Sequence, residues 1–458
     1  MKKFLVILVT FIMLLASTVL LVACSKEAKD DGKKVGNDPQ TVTDNKTGDD
    51  TGKDSAEPTS IRFYNYALSE TAKKDFWEKT VADFESKNPD VKVEVITVDY
   101  NSMVTTFTND IASGNTVDLV YGEVSWIPAL AEAGFIQEPS NVLSADFYDG
   151  YYKDVLDAFK YNGKVYGVPH YYTNSVIFVN KDLVEGAGLS MNDFPTTLDG
   201  LKTWIETLSK FYSGNPDIST IFGLTTAEVS ATGANINAIL KAFGGTLLND
   251  DGSLADLTTG DNAAAVKECM DFYKYLISNK YTIENQKLKD YRSAFGSGNV
   301  VMYVDSSWGY AQIQGAGENT ADFTVTAAIP TTMGTYGKGN TLVESHSFLI
   351  GSSLTDAQKA AVDKFVQFCT TKDTMQDYLN NIGIAFASHK NMEDVQISPI
   401  LEGAYKGIKN ISAQPSIEPI ISVQTKLATM VLNYTVNGMS LDDSVAQYIT
   451  DADYYINQ

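Results

Sequence analysis

The chain has 458 residues, a formal net charge of −22 and a hydrophobic content of 44%. This length is sufficient for two or more compact units with a sizeable core. An acidic surface repels phosphate backbones, and of the 35 basic residues only Arg62 and Arg292 are arginines, the side chains best suited to phosphate. Nucleic acid is therefore excluded as an expected partner, and strongly anionic small ligands are disfavoured.

The N-terminal segment has two lysines followed by an unbroken run of apolar and small residues at positions 4–23. Such a run is long enough for a permanent membrane-spanning helix. It ends, however, in Leu21-Val-Ala-Cys24 before a polar stretch, and this ending resembles the lipobox of bacterial lipoproteins. The resemblance implies a signal peptide over 1–23 and acylation of Cys24, which would anchor the mature protein to the outer face of the cell membrane.

Residues 24–58 are rich in charged and small residues and contain no aromatic residue. We expect this segment to be a disordered linker, because it cannot bury enough apolar surface to fold. Two further cysteines, Cys269 and Cys369, lie on the apolar faces of predicted helices. We expect both to be buried free thiols rather than a disulfide.

From position 61 short strands alternate with helices. Valine at every second position predicts a strand at Val91–Ile96, and the continuous apolar run at Thr116–Tyr121 predicts a strand covered on both faces. The predicted elements, in chain order, are a strand at 61–65, a helix at 72–87, strands at 91–96 and 116–121 separated by a helix at about 101–112, and a short helix from Ser125 to Gly134.

The stretch from 164 to 179 contains two strand-like segments with an unusual sequence between them. Residues 164–168 and 175–179 each predict a strand, whereas Pro169-His-Tyr-Tyr-Thr-Asn174 shows no alternating pattern. We interpret residues 169–174 as an interruption of the strand. The segment is either a turn or one wall of a cleft, where the chain passes between two lobes.

The second half continues the alternation of strands and helices. An apolar stripe of four residues predicts a helix at 197–211. Asp261 is placed to cap a following helix, and Thr355–Gln358 has the spacing of a capping box. Alternating strands and helices predict an α/β fold with largely parallel sheets, and the length predicts two such units.

The sequence contains no motif of a catalytic site. It has no Gly-x-Ser-x-Gly elbow, phosphate-binding loop, His-Glu-x-x-His or Cys-x-x-Cys motif. Its three histidines, His170, His346 and His389, are too far apart for a local metal motif. The paired carboxylates of a glycosidase need meet only in space, so sequence leaves them open. We predict no enzymatic activity, no cofactor and no metal ion.

Two tryptophans, Trp126 and Trp308, lie where a predicted strand passes into the next element. Ligands of open α/β sheets bind beyond the carboxyl ends of strands. An indole there can stack on the apolar face of a sugar, while Glu123, Asp305 or Asn174 could bind its hydroxyl groups. The alternative is that both indoles only close the cores of their loops.

Two segments close together in the chain, Asn162–Pro169 and Val179-Asn-Lys-Asp182, form a recognisable pattern. Five further segments accompany them, at 87–95, 113–121, 240–245, 295–302 and 357–379. In this order the seven segments resemble those of family 1 extracellular solute-binding proteins, a class of sugar receptors. The resemblance implies a two-lobed α/β fold with an interlobe cleft and two or more crossover strands.

The resemblance also implies boundaries for the two lobes. The first lobe would comprise 59–170 plus about 345–395, and the second 171–344 plus about 396–458. Residues 169–174 would form the first crossover and Val343–Ser347 the second, with His170 and His346 packed at the hinge. Trp308 matches a family position that often stacks on sugar. We expect the ligand to contact Trp308, Trp126, Tyr121, Glu123, Tyr171, Tyr172, Thr173, Asn174, Asp305 and Tyr310.

By this resemblance, the chain is a monomeric substrate receptor of an ABC importer that closes around an oligosaccharide and delivers it to membrane permease subunits. Three departures leave maltodextrin specificity open: Val179 replaces an aromatic residue, Phe386 replaces a proline, and no tryptophan follows Trp308. The same cleft could instead bind a polyol, a glycerol phosphate ester, a peptide, or iron through phenolates such as Tyr171 and Tyr172. A secreted glycosidase is the alternative from another functional class.

Overall fold

The computed structural model describes residues 57–69, 71–99, 102–144, 146–249, 251–316, 324–329, 332–382, 385–392, 398–407, 410–412, 417 and 419–457. The predicted signal peptide, the predicted acylation site Cys24 and nearly all of the predicted linker lie outside these residues. Within the described ranges, no helix combines the length and the apolar character that crossing a membrane requires.

Short extended segments throughout the described chain form its strands. Their bounds are β1 Thr59–Asn65, β2 Val91–Ile96, β3 Leu119–Glu123, β4 Ile136–Gln137, β5 Lys160–Tyr161, β6 Lys164–Val165, β7 Gly167–Asn180, β8 Thr220–Gly223, β9 Val300–Ser306, β10 Val325–Ala328, β11 Asn340–Gly351, β12 Phe386–Ala387 and β13 Asn410–Ser412.

Helices connect most of these strands. Their bounds are α1 Thr71–Lys87, α2 Met103–Ala112, α3 Ile127–Glu132, α4 Lys153–Asp157, α5 Lys181–Gly186, α6 Leu198–Phe211, α7 Ser230–Ala242, α8 Gly260–Ser278, α9 Leu288–Gly296, α10 Gly309–Ala316, α11 Asp356–Cys369, α12 Lys372–Ile382, α13 Glu402–Gly407, α14 Ile420–Thr435 and α15 Leu441–Ile456.

Eleven of the described strands divide into two sheets that share β7, and β5 and β6 pair with each other separately. In the first sheet β2, β1 and β3 are parallel, and β11 then lies antiparallel between β3 and β7. In the second sheet β7 pairs antiparallel with β9 and β10, and β9 pairs parallel with β8. The predicted α/β class is confirmed. The expectation of largely parallel sheets is wrong for β7 and β11, because each meets its long partners antiparallel.

Strand β7 passes from one sheet to the other without a break. Its residues up to Asn174 pair with β11, and its residues from Ser175 pair with β9. The predicted interruption at 169–174 is therefore wrong, since these residues form the middle of a fourteen-residue strand. The alternating pattern is missing there because every residue from Gly167 to Asn174 is buried, on whichever face it lies.

Two clusters of buried apolar residues cover opposite faces of the second sheet. Along β7, Val176 and Phe178 belong to the first cluster, which extends through the first sheet, α1 and α11. Ile177 and Val179 belong to the second cluster, which includes side chains of α6, α7, α8, α14 and α15. This alternation follows from the two-residue period of a strand. The proposed lobe boundaries remain a prediction.

Several local predictions are confirmed by the structure. Thr355 and Gln358 form the capping box of α11, with nitrogen–oxygen distances of 3.1 and 3.3 Å between them. Cys269 and Cys369 are buried free thiols. Gly134 ends the short helical segment with a φ of 70°, in the left-handed region that favours glycine. The stripe of α6 is buried as expected, through Leu201, Trp204, Ile205 and Leu208.

Two boundary predictions are wrong. The strand predicted at 116–121 runs instead from Leu119 to Glu123, because Asp118 uses its side chain to accept the backbone N–H of Arg62 at 2.8 Å. Asp261 does not cap α8. That helix begins at Gly260, which places Asp261 in its first turn, where a carboxylate is favoured by the helix dipole.

Candidate functional site

The end of β9 carries the most exposed tryptophan of the described chain. Trp308 lies two residues after the end of β9, immediately before α10, and is 38% exposed, whereas Trp77 and Trp204 are 0% and 8% exposed. The guanidinium of Arg292 lies over its indole, with 4.5 Å between the guanidinium carbon and the ring centroid. Arg292 reaches this position from α9.

An ion pair fixes Arg292 beside this indole. Its Nε and Nη2 atoms donate to the two carboxylate oxygens of Asp305 at 2.7 and 2.8 Å. Asp305 is fully buried and also accepts the hydroxyl of Tyr303 at 3.0 Å and the backbone N–H of Ser306 at 2.7 Å. The carboxylate of Asp305, a predicted ligand residue, therefore accepts its hydrogen bonds from the protein itself, and its charge is compensated by Arg292.

Glu344 lies on β11 opposite Thr173 of β7, whose hydroxyl donates to the Glu344 carbonyl at 3.2 Å. Burial raises the pKa of the Glu344 carboxyl, and the nearby carboxylates of Glu123 and Asp305 raise it further, against the opposing effect of Arg292. Glu123, at the end of β3, and the Asp305 ion pair of the second sheet therefore both lie near enough to Glu344 to affect its pKa. The two predicted residues are thus brought to one region, centred on a glutamate that prediction missed.

A chain of polar contacts runs inward from Glu123. Its Oε1 lies 3.1 Å from Nε2 of His346, and Nδ1 of His346 lies 2.7 Å from the hydroxyl of Tyr171. With the imidazole proton on Nε2, His346 donates to Glu123 and accepts from Tyr171. Tyr171 is buried, and burial raises the pKa of its phenol well above the usual range. It is held by this contact and is kept protonated.

Tyr121 lies in the core of the first sheet. It is fully buried, its ring contacts Trp77 edge-on at 4.8 Å, and its hydroxyl lies 3.0 Å from Nδ1 of His170. Burial lowers the pKa of His170 to about 3, so this imidazole is neutral near pH 7. In this conformation Tyr121 is covered by other side chains, although it was predicted as a ligand residue. His170 and His346 both lie on the strands shared by the predicted hinge.

The remaining predicted site residues have different surroundings. Trp126 is partly buried and meets the ring of Tyr66 at 6.2 Å. Tyr310 is partly buried, and its ring lies 6.3 Å from that of Phe178. Three predicted residues of β7 are buried: Tyr172, Thr173 and Asn174.

Asn174 is distinctive among these residues because neither polar atom of its side chain has a hydrogen-bond partner in the part of the chain described here. The backbone carbonyl of Asn174 accepts the backbone N–H of Ser307 at 2.9 Å and so joins β7 to the turn that carries Trp308. An unpaired buried amide is costly, because it has given up water without gaining a partner. Asn174 thus sits where β7 changes sheets, with donor and acceptor capacity still unused.

Two residues of this region were absent from the sequence-based prediction. Arg292 was overlooked because its helix carries no binding motif, although its rarity as one of two arginines was a usable signal. Glu344 lies inside the predicted second crossover but was not singled out among 57 acidic residues. Within the described ranges, no group of three or more His, Cys, Asp or Glu side chains is arranged to hold a metal ion.

Comparison with known proteins identifies the type of protein that this chain resembles. A family model described as bacterial extracellular solute-binding protein matches residues 79–402. A binding protein of Brucella abortus is 24% identical over 275 residues, which are 58% of this chain and 64% of that protein. The mannitol-binding protein of Pseudomonas aeruginosa is 26% identical over 49% of this chain and 50% of its own length. The matches therefore span less than two thirds of these curated relatives.

Solved structures extend the similarity in fold to most of the chain. The cyclic α-maltosyl-1,6-maltose binding protein of Arthrobacter globiformis aligns with a TM-score of 0.74 and 19% identity, over 87% of this chain and 99% of that one. The sugar-binding protein MalE of Xanthomonas citri aligns with a TM-score of 0.72 and 17% identity, over 87% and 98%. At these identities the alignments establish the fold, and they confirm the predicted two-lobed binding-protein architecture.

Proposed function

The chain belongs to the family of bacterial extracellular solute-binding proteins, which are binding proteins rather than enzymes, and from this premise we propose that it captures an uncharged carbohydrate beside Trp308. The observation that carries the proposal is the exposed indole at the carboxyl end of β9. A flat, apolar ring at this edge of a sheet suits the apolar face of a sugar. The mannitol-binding relative and the maltosyl-maltose and MalE structural neighbours support the same class of ligand.

Charge around the indole favours a neutral ligand. A cation, Arg292, lies beside Trp308, and its charge is compensated by the two-point pair with Asp305. The carboxylate of Glu123 adds negative charge to the same region and raises the pKa of Glu344. An anionic ligand such as a glycerol phosphate ester would be repelled by this carboxylate. Arg292 would not offset the repulsion, because its guanidinium is already paired with Asp305.

Iron capture is disfavoured by the state of Tyr171. A tyrosine binds ferric iron as a phenolate, but burial raises the pKa of this phenol and His346 already contacts its hydroxyl. Polyols are the alternative ligands most similar to the proposed one. They share the hydroxyl groups of a sugar, although they lack its rigid ring.

The proposal includes transport and location. The two lobes, 59–170 plus about 345–395 and 171–344 plus about 396–458, would close around the ligand about β7 and β11 and then dock on the permease subunits of an ABC importer. The protein would act as a monomer tethered through acylated Cys24 to the outer face of the cell membrane. Replacement of Cys24 by Ser should release the protein into the medium, and retention on the membrane would contradict the anchor.

Ligand binding can be tested with the chain that lacks residues 1–23. We expect maltotriose or another sugar of a broad panel to raise the melting temperature and quench tryptophan emission at millimolar concentration, whereas glycerol 3-phosphate has no effect. Trp308→Ala should lower the affinity at least about thirtyfold, because a central aromatic contact contributes about 2 kcal/mol or more.

Tyr454→Ala is the matched control, because Tyr454 is an exposed aromatic residue of α15, 62% accessible. Its replacement should leave the affinity unchanged. The carbohydrate proposal fails if no sugar in the panel shifts the melting temperature of the unmodified chain. It also fails if Trp308→Ala binds as tightly as the unmodified chain.

A further inference from the structure

The guanidinium of Arg292 lies against the Trp308 indole. The Asp305 carboxylate, which holds Arg292, is itself held by several hydrogen bonds. Asp305 receives two hydrogen bonds from Arg292, one from Tyr303 and one from the backbone of Ser306, all between 2.7 and 3.0 Å. Arg292 is largely buried, with 13% of its side chain exposed. A planar guanidinium held at two points by a fully buried carboxylate has little freedom to rotate.

The turn that carries Trp308 also packs against this carboxylate. A Cβ atom placed on Gly309 would lie 2.2 Å from Oδ2 and 2.5 Å from Cγ of Asp305, which leaves room only for glycine. The backbone N–H of Ser307 donates to the carbonyl of Asn174 at 2.9 Å. Both neighbours of Trp308 in the sequence are therefore fixed, one against Asp305 and the other against β7.

We infer that Arg292 is a positioning residue for ligand binding: it holds the Trp308 indole in one orientation before the ligand arrives, and Asp305 holds Arg292. The inference rests on the proposed function, since the ordered indole is the surface on which the sugar stacks. A ring ordered in advance loses less conformational entropy when the ligand binds, which increases the affinity. The ion pair provides this order while leaving the platform without net charge.

Four variants test the inference in the chain that lacks residues 1–23. Arg292→Met removes both the charge and the planar fork but keeps an apolar stem against the indole. Arg292→Lys keeps the charge and loses the fork. Arg292→Met combined with Asp305→Asn avoids a buried unpaired carboxylate, in case the single variant does not fold. Arg62→Met removes the other arginine, which lies over Tyr64 rather than a tryptophan, and is the matched control.

The first measurement needs no ligand. Acrylamide quenching and fluorescence anisotropy of each variant are compared with the same variant carrying Trp308→Phe, so that the difference reports Trp308 alone. We expect Arg292→Met and the double variant to increase quenching of Trp308 and lower its anisotropy, and Arg292→Lys to resemble them. Arg62→Met should leave both values unchanged.

The second measurement is calorimetric titration with maltotriose or the best sugar of the panel. Loss of the cation over the indole should weaken binding about twofold to thirtyfold in Arg292→Met. The lysine variant should fail to restore the affinity, because it lacks the fork that fixes the geometry.

The two readouts separate the inference from the proposed function. If the unmodified chain binds no sugar, the proposed function fails, and the ligand-free measurement still decides whether Arg292 orders the indole. If Trp308 is equally quenched and equally ordered in Arg292→Met and the double variant, Arg292 has no positioning role. If Arg292→Lys restores full order and affinity, the charge rather than the fork is responsible, and the inference is overturned.

Discussion

The aromatic group around Tyr121, in the middle of β3, and the group around Trp308, in the turn after β9, differ in exposure. Other side chains cover the first group, whereas the second is partly exposed to solvent. Tyr121 of β3 and Trp77 of α1 are fully buried, with 4.8 Å between their ring centroids. At the end of β9, Trp308 is 38% exposed and lies against the guanidinium of Arg292. The first group is covered by further rings, whereas the second is supported by an ion pair.

This difference shows how the same residue type acquires a structural or a binding role. A ring packed between other rings gives its whole surface to the core and has no face left for a ligand. A ring supported by a buried ion pair is ordered without being covered. Of the two groups, only that of Trp308 therefore presents an ordered apolar surface to solvent in this conformation.

The largest expected effect on the stability of the protein comes from a substitution in the covered aromatic group around Tyr121. Trp77→Ala should lower the free energy of unfolding by about 3–5 kcal/mol, because a fully buried indole is lost and a cavity remains between Phe63 and Tyr121. Urea denaturation followed by circular dichroism measures the change. A loss below about 1 kcal/mol would show that this aromatic group is not a packed core.

An effect of intermediate size is expected from His170. Its pKa is about 3 in the folded protein, where burial disfavours the charge, and about 6.5 in an unfolded chain. The unfolded chain therefore binds the proton first as the pH falls. The stability that the neutral imidazole contributes is present above pH 6.5 and is lost towards pH 3.

His170→Gln should remove this dependence, because glutamine does not titrate. Between pH 7.5 and 5, we expect the unmodified chain to lose about 2 kcal/mol more stability than the variant. Urea denaturation at several pH values gives the slope of the free energy of unfolding against pH for the unmodified chain and for the variant. His389→Gln is the control, because His389 is less buried and its pKa is lowered less far. Equal slopes for the His170 variant and the unmodified chain would contradict a buried, neutral imidazole.

The smallest expected effect on the stability of the protein comes from a substitution in the partly exposed group around Trp308. Trp308→Ala should reduce the free energy of unfolding by less than about 1 kcal/mol, since it removes a partly exposed ring and one cation–π contact. The same denaturation experiment measures it. A loss as large as that of Trp77→Ala would place Trp308 in the core and would remove the contrast between the two groups.

Much of the local structure could be predicted from the sequence. The strand at Val91–Ile96, the capping box of α11 and the buried thiols were all correct. These features depend on residues that are close in the chain, so their spacing contains the necessary information. The order of strands and helices was also sufficient to predict the α/β class.

The candidate site was only partly predictable. The position of Trp308 after a strand was correct, and the structure brings Glu123 and Asp305 to the same region. Tyr121 was predicted to face a ligand and is instead covered. Arg292 and Glu344 were missed because their roles depend on neighbours that the sequence does not place beside them.

The sequence by itself determined most of the strands and helices, because backbone preference and the period of apolar residues are local properties. It also indicated that aromatic and acidic side chains gather at strand ends. Only the tertiary structure decided which of these rings is buried and which stays open. Tyr121 is covered by residues as distant in the chain as Trp77 and Phe348, and Trp308 lies against Arg292 of α9. Coverage is a property of packing between distant segments, and no spacing along the chain encodes it directly.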